Sequence, residues 1–112
     1  MATGRLGTAN ITSTADTTVY GPVTAATFAV VSVNIVNRSS SASAQIRIAV
    51  STLATPTAAE YIEYDSALVA NGVLERTGIV MDATFGKYLV VQTPTATPSL
   101  SVVVYGIETS TA

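Results

Sequence analysis

Short runs of Val, Ile and Thr, closed one after another by Gly, Pro, Asn or Ser, recur along this chain and restrict it to sheet structure. β-branched side chains are stiff at χ1 and pack well on a pleated surface, whereas a helix leaves them few rotamers. The clearest run is Ala44 to Ser51, where Ile46, Ile48 and Val50 alternate with Gln45 and Arg47. A period of two predicts a half-buried strand. Thr27 to Asn37 predicts a longer one, with Ala29, Val31, Val33 and Ile35 on one face and Ser32 and Asn34 on the other. Further strands are expected at Asn10 to Thr14, Asp16 to Val19, Lys87 to Thr93 and Leu100 to Glu108. No helix is expected, Thr57 to Tyr64 reading as a loop that enters a strand, and no repeat of fixed period is present.

Tyr61 to Ile79 reads as a β-hairpin. Its first arm alternates Ile62 and Tyr64 against Tyr61, Glu63 and Asp65, and Asn71-Gly72 supplies the turn. The second arm starts at Val73, and Gly78 inside it marks a bulge or a close backbone approach. With these arms the chain has about eight short strands, spaced by turn signals every 8 to 12 residues or so. That pattern is all-β: a single-domain antiparallel β-sandwich, jelly-roll-like.

At 112 residues there is room for one core. Residues 1–8 are small and polar and read as an N-terminal arm, and residues 109–112 as a short frayed tail. Only 11% of residues are charged, against about 25% in an ordinary soluble domain. Such a surface is coated by Thr, Ser, Ala and Gly or is partly covered by other protein. A net charge of −2 with one lysine, Lys87, offers no basic stripe for phosphates, so nucleic acid is not an expected partner. The N-terminus has no apolar signal-peptide core, and the longest apolar run, Ala25 to Val36, is short and interrupted. Synthesis in the cytoplasm and no membrane partner are the expectation, and the absence of cysteine fits.

With neither His nor Cys, the common catalytic triads and the usual zinc ligands cannot be assembled. No phosphate-cradling glycine loop occurs either. The expectation is no enzyme, no cofactor and no catalytic or metal site. The strongest contrary candidates are Glu63 and Asp65, placed about 7 Å apart on one strand face, near an acid and base spacing, with Glu60 and Glu75 close by. The plainer reading makes them solvated charges, one of them paired with Arg76 across the hairpin. A calcium site from Glu63, Asp65 and Asp82 lacks the spacing of a dedicated loop. Tyr61, Tyr64, Tyr88 and Tyr105 suit a sugar platform, or core and subunit contacts. Asn10-Ile-Thr12 and Asn37-Arg-Ser39 match the glycosylation acceptor pattern in a chain rich in Ser and Thr.

Phe28 to Val31, Leu89 to Val91 and Val102 to Val104 are apolar on both faces. A two-sheet sandwich covers only one face of each sheet, so a subunit interface is expected on the other.

Gly4-Arg-Leu-Gly7, Thr17-Thr-Val-Tyr20, Glu60-Tyr-Ile-Glu-Tyr-Asp65, Ala70-Asn-Gly-Val-Leu-Glu-Arg-Thr-Gly-Ile-Val80, Lys87-Tyr-Leu-Val-Val91 and Ser101-Val-Val-Val-Tyr-Gly-Ile-Glu108 are spread over nearly the whole length of the chain. Together they resemble the small structural proteins of tailed-bacteriophage virions, cyanophages in particular. The resemblance implies a virion location and a capsid decoration or cement protein, usually a homotrimer bridging major capsid proteins. The same family pattern also serves tail, neck and fibre assemblies.

Overall fold

The computed structural model describes residues 3–110 and shows two antiparallel four-stranded sheets. The strands are β1 (Thr3–Ile11), β2 (Thr17–Tyr20), β3 (Thr27–Asn37), β4 (Ala44–Ser51), β5 (Tyr61–Leu68), β6 (Val73–Asp82), β7 (Tyr88–Gln92) and β8 (Leu100–Ser110). Sheet I has the order β1-β8-β3-β6 and sheet II the order β2-β7-β4-β5. The first strand thus pairs with the last, the second with the seventh, the third with the sixth and the fourth with the fifth. This is a long hairpin rolled into a sandwich, the connectivity of a jelly roll.

β3 and β4 occupy the residues that their alternation predicts, because Ala29, Val31, Val33 and Ile35 of β3 and Ile46 and Ile48 of β4 are buried, with Val50 partly buried and Ala49 buried on the other face. Val31, Val33 and Ile35 from β3 meet Ile46 and Ile48 from β4, Leu89 and Val91 from β7, and Val102 and Val104 from β8. Each such side chain is worth about 1.5–3 kcal/mol when fully buried. Together they offset the entropy of ordering two sheets that carry no crosslink.

Four expectations need correction. Tyr61 to Ile79 is not a hairpin, because β5 pairs with β4 in sheet II and β6 with β3 in sheet I. The Asn71-Gly72 turn does form, but it carries the chain from one sheet to the other. Gly72 N–H donates to the Val69 carbonyl at 2.9 Å and only Asn71 has positive φ, 59°. A two-residue I′ hairpin needs positive φ at both central residues, whereas a type II turn needs it only at the third position, held here by Asn71. Gly72 is required for space instead, since a Cβ there would lie 2.8 Å from both the Val69 carbonyl oxygen and its Cγ2.

The second correction concerns the arm: residues 3–8 belong to β1, an edge strand paired with β8 from Thr3↔Ile107 onward. Met1 and Ala2 lie outside the described residues. The strand expected at Asn10 to Thr14 keeps only Asn10 and Ile11, at the end of β1. At the other terminus Thr109 and Ser110 extend β8 and pair with Phe28 and Thr27. Residues 111 and 112 lie outside the described residues.

The third concerns β5. Opposite Ile46 and Ile48 stand Ser66 and Glu63, so Tyr64 and Asp65 form a bulge, with Asp65 at φ 55°. Alternation breaks there: Ile62 packs against the core, but Tyr64 is exposed. Gly78 marks a second bulge, as its sequence context predicts; Val31 and Val33 face Ile79 and Arg76, leaving Thr77 and Gly78 unpaired. The fourth concerns β7, where Val90 on the outer face is buried beside Ala49, so this strand's second apolar face is covered within the chain.

Candidate interaction surface

The outer face of sheet I carries six of the ten large hydrophobic side chains exposed among the described residues. Register places Val80, Val30 and Ile107 side by side across β6, β3 and β8. They are 66%, 41% and 55% exposed. Val103 and Tyr105 continue the face along β8, and Val73 along β6. Charge stands at its two margins: Arg5 on edge strand β1, opposite Tyr105, and Glu75 on edge strand β6, opposite Asn34. The Tyr105 hydroxyl donates to Glu75, and that bond raises the phenol pKa.

The outer face of sheet II has a different character. Arg47 on β4 donates from Nε to Asp65 Oδ1 at 2.6 Å and from Nη2 to Oδ2 at 3.3 Å. Its guanidinium carbon lies 4.2 Å from the centroid of the Tyr64 ring, a cation–π contact. Tyr61 meets Tyr64 edge to face, with centroids 5.1 Å apart. Arg47 also donates to the Gln92 Oε1 at 3.3 Å. The β5 bulge makes this cluster, because it turns Asp65 out beside Arg47. Of the four tyrosines considered for a sugar platform, the structure brings together Tyr61 and Tyr64. Tyr105 lies on the other sheet, and Tyr88 sits elsewhere on sheet II, paired with Ser51.

The carboxylates weighed for catalysis or calcium are held apart. Glu63 accepts from Arg76 at 2.6 Å and from the Ser66 hydroxyl, Asp65 is held by Arg47, and Asp82 accepts three loop N–H groups of residues 84–86. The bulge sends Glu63 to the gap between the sheets and Asp65 to the outer face. The pairing of Glu63 with Arg76 is found, but between sheets and not across a hairpin. Among the described residues no group of three or more acidic side chains converges on a cation position.

Two clefts open along the seams between the sheets. One, about 330 Å³, is lined by Leu6, Thr18, Tyr20, Pro22 and Glu108. Burial first, and then the bond it donates to Glu108, push the Tyr20 phenol pKa up. The other, about 300 Å³, is lined by Val50, Ile62 and the β6 bulge.

Asn37, which begins a match to the glycosylation acceptor pattern, is 1% exposed. Its Nδ2 donates to the carbonyls of Ala42, Leu68 and Val69, and its Oδ1 accepts from Ser39 N–H. It ties the β3–β4 connection to the turn that crosses between sheets. Alternation along Thr27 to Asn37 puts Asn37 on the inward face, but nothing in the sequence shows which carbonyls it meets there.

Comparison with known proteins adds no family: no protein-family model matches the chain, and no curated protein is significantly similar to it.

Proposed function

We propose that this protein is a virion structural protein of a tailed bacteriophage, a capsid decoration or cement protein that stabilises the head shell by bridging major capsid proteins. The observation that carries the reading is the exposed row Val80, Val30 and Ile107 on a rigid sandwich face. A face of this kind left bare in solution is an association site or an aggregation hazard. Its occupant is a second copy of this chain. Arg5 at one margin and Glu75 at the other complement each other when copies meet head to tail, a heterologous contact that gives a ring when its rotation closes and a filament when it does not. A homotrimer is the ring this reading adopts, with the shell contact made elsewhere on the subunit. The resemblance to small phage virion proteins supports the same assignment.

A second reading, a tail, neck or fibre component that touches the host surface, is favoured by the Arg47, Tyr64 and Asp65 cluster, whose exposed ring and planar polar groups suit a sugar. Localisation of the chain in a cryo-EM map of the whole virion separates the two. Density on the head shell as three-fold clusters is the expected result. Density confined to the tail supports the second reading, and a virion lacking the protein overturns both.

A further inference from the structure

Asn71 is the only one of the four asparagines that precedes a glycine. Asparagine is thermolabile, and a following glycine leaves its side-chain carbon open to the next backbone nitrogen, because no Cβ shields that nitrogen. The reaction needs only hydroxide and water. The Gly72 nitrogen gives up its proton and attacks Asn71 Cγ; an N–Cγ bond forms, the Cγ–Nδ2 bond breaks, and the side-chain nitrogen leaves as ammonia with a proton from water. Water then opens the cyclic imide at either carbonyl and leaves aspartate or isoaspartate, with no change of oxidation state.

The fold imposes this labile pair. Asn71 takes φ 59°, a region that asparagine and glycine enter at least cost. Gly72 has no room for a Cβ, which would lie 2.8 Å from the Val69 carbonyl oxygen. Asn71 is also exposed, so water reaches its amide.

The same turn withholds the nucleophile. Gly72 N–H donates to the Val69 carbonyl at 2.9 Å, Asn71 N–H to the Ser39 carbonyl at 2.9 Å, and Asn37 N–H to the Gly72 carbonyl at 2.9 Å. Asn37 Nδ2 reaches the Val69 carbonyl as well, at 3.3 Å. A backbone N–H held in this way loses its proton to hydroxide only when the bond opens. The torsion is also wrong for ring closure. The imide needs Asn71 Cβ and the Gly72 nitrogen nearly eclipsed about the Cα–C bond, whereas a left-handed ψ of about 0° to +47° turns them well apart.

We infer that Asn71 is a latent deamidation site, closed in the folded protein by the hydrogen bonds of the turn between β5 and β6 and opened when that turn detaches from Asn37 and Ser39. This holds whatever the protein assembles with. Each such opening risks a permanent negative charge, or an extra backbone atom, in the connection that joins the two sheets.

Folded full-length protein and the same protein in guanidinium chloride are incubated side by side at neutral pH and digested with trypsin. Asn71 is the only Asn or Gln between Arg47 and Arg76, so conversion of an amide to an acid in the peptide Ile48 to Arg76 reports this site by mass. The folded protein is expected to deamidate about tenfold or more slowly than the unfolded chain, and folded Asn37→Ala about threefold or more faster than folded wild type. Asn71→Gly, which keeps the positive φ, should show no conversion. Folded wild type reacting as fast as the unfolded chain overturns the inference, as does an unfolded chain that keeps its amide. Conversion that persists in Asn71→Gly, or folded Asn37→Ala reacting no faster than wild type, overturns it too. Should Asn37→Ala fold poorly, hydrogen exchange at the Gly72 amide of wild type decides. Exchange and deamidation rising together in denaturant below the unfolding transition support a shared opening; deamidation while Gly72 stays protected overturns it.

Discussion

Glu63 and Arg76 are joined at 2.6 Å across the gap between the two sheets, one on β5 and the other on β6. The pair is half in solvent, so its worth is that of a surface ion pair. The Ser66 hydroxyl, and then the Arg76 guanidinium, hold the Glu63 carboxyl below its ordinary pKa. A carboxyl depressed by folding stabilises the fold above its unfolded pKa, and that contribution fades as pH falls through the folded value. Arg76→Ala should therefore lower stability by about 0.2–1 kcal/mol near neutral pH, and Glu63→Gln should leave the fold intact. Urea midpoints check this: the Arg76→Ala deficit should shrink near pH 3 or so, below the ordinary glutamate pKa. A deficit unchanged by acid would assign the effect to packing of the arginine stem.

Asn37 is the buried polar side chain with the most to lose. Asn37→Ala removes the donor to the buried Leu68 carbonyl, while the part-buried Val69 carbonyl keeps the Gly72 N–H, at a cost of about 1–3 kcal/mol. Chemical denaturation of the variant should show the loss without a change in the slope of the transition. A variant as stable as wild type would mean that the turn finds other donors.

The Asn71-Gly72 turn separates two requirements that sequence alone merges. Asn71→Gly should be tolerated, because glycine enters positive φ freely. Gly72→Val should impair folding, because its Cβ would sit 2.8 Å from the Val69 carbonyl oxygen. Soluble yield and thermal midpoint of the two variants should therefore diverge. Equal behaviour would contradict the steric account.

Asp82 and Glu60 brace the loops that present Phe85 and Leu53. Backbone N–H bonds hold both carboxyls below the ordinary range: from Phe85, Thr84 and Gly86 at Asp82, and chiefly from Thr57 and Thr52 at Glu60. The bracing is complete above the unfolded pKa values, about 4, and is lost as pH falls through the depressed folded ones. Hydrogen exchange corrected for intrinsic rates should show Thr84, Phe85 and Gly86 losing protection in acid before the core strands do. Asp82→Ala should show the same loosening at neutral pH, while Asp82→Asn keeps part of it. Unchanged protection in Asp82→Ala would show that the loop is held by its other bonds.

β3 and most of β4 were legible because burial of one face leaves a period-two imprint, which in β4 runs to Ile48 and breaks at the buried Ala49. What sequence hides is pairing. Asn71-Gly72 announces a turn, but a turn between strands of one sheet and a turn between sheets use the same residues. The nearness of Glu63 and Asp65 along the chain likewise implied a shared face, and a bulge with Asp65 at positive φ separated them. Alternation put Asn37 on the inward face, but its role stayed hidden, because it depends on carbonyls brought from β5 and the turn that follows it. The surplus of apolar surface was legible as an amount. Its division into a covered part at Val90 and a bare part at Val30, Val80 and Ile107 was not, since that depends on which neighbours roof each sheet.

The pairing of β1 with β8 has a consequence for how the molecule is made. During synthesis β1 emerges first, and its partner β8 is the last strand to follow. β3, in the interior of sheet I, also lacks one neighbour until β8 arrives. A ribosome-bound chain stopped at Gln92 would keep its four-strand sheet II but only the β3–β6 pair of sheet I, with Val31, Val33 and Ile35 short of their cover. Closure of this fold is therefore a late, long-range event, of the kind that slows folding and exposes nascent chains to aggregation. Deleting the final strand should abolish the whole domain rather than trim it.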